Sequence, residues 1–336
     1  MKVRKNRMSK IIDLSKYNVV ANFGAVANSV DGVIIRAGYR GYGSGKVVQD
    51  AKFVEFAQAC REKGIPFGIY FMSQAITVAE AEEEAQFAVT FAEQYGASLP
   101  LFIDSEDGDG TAKVVRADGL SKEDRTAVVK AFCERVTTSG REAGVYASES
   151  WFRNNLDYEQ LKQYKIWCAK YGTNDGNAQI SPALDKVDMW QYTSKGTVPG
   201  INGNVDLSEG YFEIKAESPV PTAQPTAAQP SYIKNDKVGE YQHAANIGFD
   251  LKGTSSELAE DKIFGPKTQN IAKTHLIYYN IQSSPTAVRW WQGIIGVTVD
   301  GKFGNKTLEA TRAWQKAHGL VADGVVGLAT VTEALR

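Results

Sequence analysis

The chain has 336 residues, 43% of them hydrophobic and 23% charged, with a formal net charge of −1. This composition excludes disordered and fibrous classes, and the near-balanced charge gives no basic field for dedicated nucleic-acid binding. No apolar run reaches transmembrane length, so no membrane insertion is expected.

The chain opens on "MKVRKNRMSKIID", which is basic but lacks the apolar stretch of a secretory signal. The expectation is a protein made in the cytoplasm that reaches its target by another route. Beyond this start, short apolar runs alternate with helical stretches. Strands are predicted at 10–15, 32–38, 66–72, 99–104, 142–148, 165–171, 187–192 and 203–208, and helices at 49–63, 77–95 and 121–140. Eight strands in a β-α-β-α pattern predict an α/β fold that closes as a barrel; a doubly wound open sheet is the alternative. About ten residues separate the last two strands, too few for a packed helix, so loops should join them. The glycine-rich "GYRGYGSG" at 38–45 has neither dinucleotide nor Walker spacing and reads as a rim loop.

Acids stand at three of the predicted strand ends: Asp13, the pair Asp104 and Glu106 in "LFIDSED", and Asp206. In a β/α barrel these ends form the active-site face. Residues i and i+2 of a strand share a face, so Asp104 and Glu106 should both look into the mouth, and Asp13 should lie beside Asp206 once the barrel closes. Crowded carboxylates raise one another's pKa, leaving one protonated beside an ionised partner, as glycosidic cleavage requires. A solvated turn or a divalent-metal site would use the same residue types, although "DSEDGDG" does not fit an EF-hand loop. The three histidines, His243, His275 and His318, all lie in the last third, so chemistry in the first two-thirds must rest on carboxylates. Cys60, Cys133 and Cys168 lack CxxC spacing and read as reduced, buried thiols.

Near these strand ends, Tyr39, Tyr70, Trp167, Tyr171 and Trp190 are candidates for sugar stacking, with core packing as the alternative. Trp190 and Tyr192 should share one strand face and Gln191 take the other. Arg36 either pairs with a rim acid or holds the barrel together.

Residues 215–233, rich in Pro, Ala and Thr, predict an extended linker between a body at 9–214 and a C-terminal piece at 234–336. That piece repeats itself. "YQ" (241–242), "WQ" (291–292) and "WQ" (314–315) precede "DKIFGPKT" (261–268), "DGKFGNKT" (300–307) and "DGVVGLAT" (323–330). Each unit reads as a helix ending near the aromatic-Gln pair, an Asp/Gly turn, and a Thr near the start of the next helix, giving a small all-α module.

The stretches "IIDLSKYN", "GVIIRAGYRGYG", "GIPFGIYFMSQA", "LFIDSED", "GVYASESWF", "IWCAKYG" and "DMWQYTSKGTVPGINGNVDLSEGYF" resemble glycoside hydrolase family 25, the Chalaropsis-type lysozymes of phage endolysins and bacterial autolysins. The resemblance implies an irregular, flattened barrel with five helices and no metal or cofactor. It implies hydrolysis of the β-1,4 bond from N-acetylmuramic acid to N-acetylglucosamine. By position, Glu106 matches the general acid, Asp104 its partner carboxylate, and Asp13 and Asp206 the two further pocket acids. Asp104 is left as either a nucleophile or a group orienting the substrate's acetamido. The C-terminal repeat resembles the peptidoglycan-binding helical domain of wall hydrolases, so bacterial peptidoglycan is the expected partner. Without a leader, the expected role is a phage endolysin waiting in the host cytoplasm. Alternatives are a bacterial autolysin, a silent wall-binding protein, or a glycosidase of another bond. A chitinase is disfavoured because Phe102 stands where its signature requires an acid.

Overall fold

A computed structural model describes residues 8–107, 116–214, 232–254, 256–278, 284–320 and 322–336. The chain divides into two compact units within its Pro/Ala/Thr-rich stretch. Most of the expected linker (215–231), the end of the acid-rich "DSEDGDG" and the basic start lie outside the described residues.

The first unit begins β1 (Ser9–Leu14), β2 (Val19–Val20), α1 (Phe23–Ala27), β3 (Gly32–Arg40), β4 (Val47–Gln49), α2 (Phe53–Lys63), β5 (Phe67–Met72), α3 (Val78–Tyr95) and β6 (Leu101–Asp104). It continues α4 (Lys122–Thr138), β7 (Ala143–Ser148), α5 (Glu149–Asn154), α6 (Tyr158–Leu161), β8 (Lys165–Ala169), β9 (Met189–Gly196), β10 (Ile201–Asn202) and β11 (Val205–Gly210). Eight of these strands run in the order β1-β11-β9-β8-β7-β6-β5-β3, and pairing of β1 with β3 closes the barrel. The long helices start and stop on local signals. Thr77 and Ser121 accept the N–H groups of Glu80 and Asp124 at the N-termini of α3 and α4, and Gly96 ends α3 at a left-handed φ of 73°.

Two expectations need correction. The helix expected over 49–63 starts only at Phe53, as α2; Gln49 instead ends β4, which folds back on β3 as a hairpin. The glycine-rich loop is the tip of that hairpin. The last barrel strand also runs against the others: β11 is antiparallel to both β9 and β1. A short connection suffices between antiparallel neighbours, whereas a parallel pair needs a long crossover. Asp206 therefore lies near the start of its strand rather than its end, yet on the same rim as Asp13.

The barrel interior is layered. Ile11, Ile34, Phe102, Tyr146, Trp167 and Met189 form a buried cluster. Side chains two residues further along a strand share its face. Above Ile11, Phe102 and Met189 on their strands therefore stand Asp13, Asp104 and Gln191. Outside the sheet, Phe53, Phe87, Phe91 and Tyr95 pack as a ring cluster between α2 and α3. The three cysteines are buried and none is in a disulfide.

The second unit comprises α7 (Asp236–Gly248), α8 (Pro266–Thr274), α9 (Pro285–Ile295), α10 (Asn305–Ala317) and α11 (Leu328–Ala334) around a core that includes Tyr241, Phe264, Trp291 and Phe303. Its repeat is built on glutamine. Gln242 Nε2 donates to Asp261 Oδ1 at 2.8 Å, Ile263 O at 3.1 Å and Thr268 Oγ1 at 3.1 Å. Gln292 binds Asp300, Lys302 O and Thr307 in the same way, and Gln315 binds Asp323, Val325 O and Thr330. Each glutamine Oε1 accepts the N–H of the residue after that Asp: Lys262, Gly301 or Gly324. One buried amide thus closes each Asp/Gly turn onto the next helix, even in the first unit with its longer insertion.

Candidate active site

Asp13 and Asp206 face each other in register across β1 and β11. Asp104 ends β6, only 4% exposed, opposite Tyr146 of β7, and its carbonyl accepts the Ser73 N–H at 3.0 Å. Glu106 follows two residues on, half-buried beyond the strand end. Its charge reaches Asp13, Asp104, Tyr146 and Tyr171. The four acids predicted from the strand ends therefore share one pit. Ser105 points away from it, its hydroxyl accepting Trp151 Nε1 at 3.3 Å.

The pit is electrostatically strained. Burial raises the Asp104 carboxyl well above its ordinary range, helped by the charges of Glu106 and Asp13 and opposed by Arg36. Burial does the same to Asp13, with Asp206 adding repulsion. Asp206 is pushed up to about 6, again mainly by burial. Two carboxyls side by side with raised pKa values hold a proton between them near neutrality.

Gln191, from β9, sits at the centre and is 1% exposed. Its Oε1 accepts the hydroxyls of Tyr146 at 2.8 Å and Tyr171 at 2.5 Å. Its Nε2 donates to Asp13 Oδ2 at 2.9 Å and Asp206 Oδ2 at 3.4 Å. The alternation along this strand was legible, but not which side faces in. Gln191 enters the pit, while Trp190 on the opposite face donates its indole N–H to Lys170 O at 2.8 Å and packs on Tyr192. The available signal for Gln191 was its place two residues after apolar Met189.

The remaining candidates separate by position. Trp167 is 1% exposed, bonded to Ser208 and packed on Tyr70, Phe102 and Tyr146, so it floors the barrel rather than presenting a stacking face. Tyr70 is half-buried against it, and its phenol is raised by burial, with Asp13 and Asp104 nearby. Tyr171, 37% exposed, stands on the rim. Arg36 pairs with an acid the sequence reading missed: its Nε donates to buried Asp50 at 2.7 Å. Asp50 also accepts the backbone N–H groups of Lys16 and Lys52, so this pair fastens the loop after β1 to the β4–α2 turn. Arg36 and Lys16 both lie against the rings of Tyr17 and Tyr39, giving the mouth one cationic, aromatic wall. Among the described residues no group of three or more His, Cys, Asp or Glu has a metal-holding arrangement.

A barrel with these acids at its mouth matches the model of glycosyl hydrolases family 25 over residues 12–201, more than half of the chain. The chain belongs to that family. It is accordingly a glycoside hydrolase of the lysozyme type. A peptidoglycan-binding-domain model matches residues 286–333, the last two repeat units. An autolytic lysozyme of Clostridium acetobutylicum is 25% identical over 370 residues, covering 97% of this chain and 99% of its own. A lysozyme of Streptococcus phage Cp-9 is 31% identical over 140 residues, 40% of this chain and 38% of its own. In fold, the barrel is similar to the catalytic domain of an endolysin from a bacteriophage of Listeria monocytogenes, with a TM-score of 0.51 at 24% identity, over 61% of this chain and 94% of that one.

Proposed function

We propose that the pit cleaves the β-1,4 bond from N-acetylmuramic acid to N-acetylglucosamine in peptidoglycan, with Glu106 as general acid and Asp104 as its partner. The observation that carries this reading is the convergence of four carboxyls in one pit, two of them paired in register and three raised by burial. Glu106 is half-buried and stands beyond the strand end, where a leaving-group oxygen can reach it. It gives its proton to that oxygen as the bond to the muramic C1 breaks. Asp104, deep and crowded, orients the substrate's acetamido N–H so that the acetamido carbonyl oxygen attacks C1. Water then opens the resulting ring as Glu106 takes back a proton. The Asp13–Asp206 pair supplies negative charge beside the developing oxocarbenium.

Borohydride reduction of digested peptidoglycan followed by mass spectrometry tests the bond. Reduced muramic acid ends are expected; reduced glucosamine ends would move the cleavage to the other linkage. NMR of the first product should show the retained anomer, and inversion would exclude acetamido attack.

We assign residues 9–214 to catalysis and 234–336 to holding the wall, joined by the linker at 215–233. The phage-endolysin and bacterial-autolysin readings share this chemistry. The full-length match to a protein named autolytic lysozyme favours the second.

A further inference from the structure

Gln191 occupies a position that its ordinary role as a β-strand residue does not require. It is buried, and all four of its side-chain contacts to the pit are to groups that titrate. An amide can be turned either way. Here two hydroxyls converge on one end and two carboxylates on the other, and only one orientation presents N–H to both acids. We infer that Gln191 is a positioning residue that fixes the proton count of the Asp13–Asp206 pair, with Tyr146 and Tyr171 locking its amide. The inference rests on the proposed reading only in calling that pair part of the catalytic pit.

Titratable and charged groups from several strands face the pair. From β6 and its extension come Asp104 and Glu106, from β7 Tyr146, from the end of β8 Tyr171, from β5 Tyr70, and from β3 Arg36. Burial favours protonation of both acids; at Asp13 the charges of Asp206 and Glu106 add to it, whereas at Asp206 the hydrogen bond with Asp13 works the other way. Among the described residues, Gln191 alone donates a side-chain hydrogen bond to both acids. A donor to the ionised form lowers a carboxyl's pKa. Without it, the pair would hold its proton to higher pH and pass less negative charge to the reaction. The two tyrosines matter because a freely turning amide would offer its oxygen to the acids half the time, reversing the effect.

The test is Gln191→Glu, which keeps the volume and both tyrosine hydrogen bonds but presents oxygen to the acids. Carbon-13 NMR titration of the Asp13 and Asp206 carboxyls reads the pair directly, whatever bond the enzyme cleaves. The expected result is an upward shift of about one pH unit or more in the pair's titration, matched by the acidic limb of the kcat profile, with KM little changed. Tyr171→Phe, at a half-exposed site with low folding risk, should shift the titration in the same direction by less. Titrations of both variants superimposed on wild type would overturn the proposal, leaving Gln191 a packing residue. A shifted titration with no muramidase activity in wild type would leave this inference standing and remove the functional reading instead.

Discussion

Both units of the chain place a buried glutamine against aspartates, with opposite consequences. In the helical module, Gln242 and Gln292 hold Asp261 and Asp300 below their ordinary pKa, because each acid stands near solvent and gains a donor. In the barrel, Gln191 makes the same kind of bond, yet Asp13 and Asp206 are raised. Depth decides the difference at both acids, and at Asp13 the charge of Asp206 adds to it, so that one amide donor is outweighed. Asp323 shows the intermediate case. It makes the same bond to Gln315 as its two counterparts but is more buried, and burial raises it. A glutamine–aspartate pair near water is a staple; sunk among acids, it becomes part of a proton store.

The contrast can be broken at several points. The largest effect should come from separating the units: residues 9–214 alone should keep turnover on soluble fragments but lose about 100-fold in lysis of intact cells, because tethering supplies the local concentration. Turbidity assays beside fragment assays check this, and equal lysis by both forms would remove the anchoring role. Gln292→Leu comes next. It leaves Asp300, the Gly301 N–H, Lys302 O and Thr307 without their shared partner, so unfolding of the module should cost about 2–4 kcal/mol less. Turnover on fragments should not change, whereas Gln191→Glu should alter turnover and its pH profile.

A smaller effect concerns Glu84, fully buried in α3, which bonds Arg40 at 2.7 Å and Ser73 at 2.6 Å. Burial raises it to about 7 in spite of Arg40. A carboxyl raised in the folded state stabilises fully below its unfolded value near 4.5, and that contribution is lost as pH rises toward 7. Glu84→Gln has no such loss. Its stability deficit against wild type should therefore shrink between pH 5 and pH 8, by up to about 3 kcal/mol. Thermal unfolding across that range reads the change; a deficit that stays constant would mean the pair stays ionised throughout.

Much of this organisation is legible in the sequence, for stated reasons. Eight apolar runs give eight barrel strands, and the short gap before the last one excludes a helix. Strand direction is not encoded in such runs, so the antiparallel β11 was not foreseen. Its reversal still leaves Asp206 opposite Asp13, because the acid moves from one end of the strand to the other as the strand turns over. Alternation likewise reveals that Trp190 and Gln191 face opposite ways but not which faces in, and large aromatics drew attention from the amide. Asp50 was missed because the strand it follows, β4, was read as the start of a helix over 49–63. The module's repeat was readable since the Asp-to-Thr spacing is fixed by a single side chain that must reach both.

The most direct test of the account is the turnover of Glu106→Gln on purified peptidoglycan, with thermal unfolding and wall pelleting measured on the same preparation. The account predicts a loss of at least about 100-fold, with folding and wall binding unchanged. Turnover within tenfold of wild type would contradict Glu106 as the general acid.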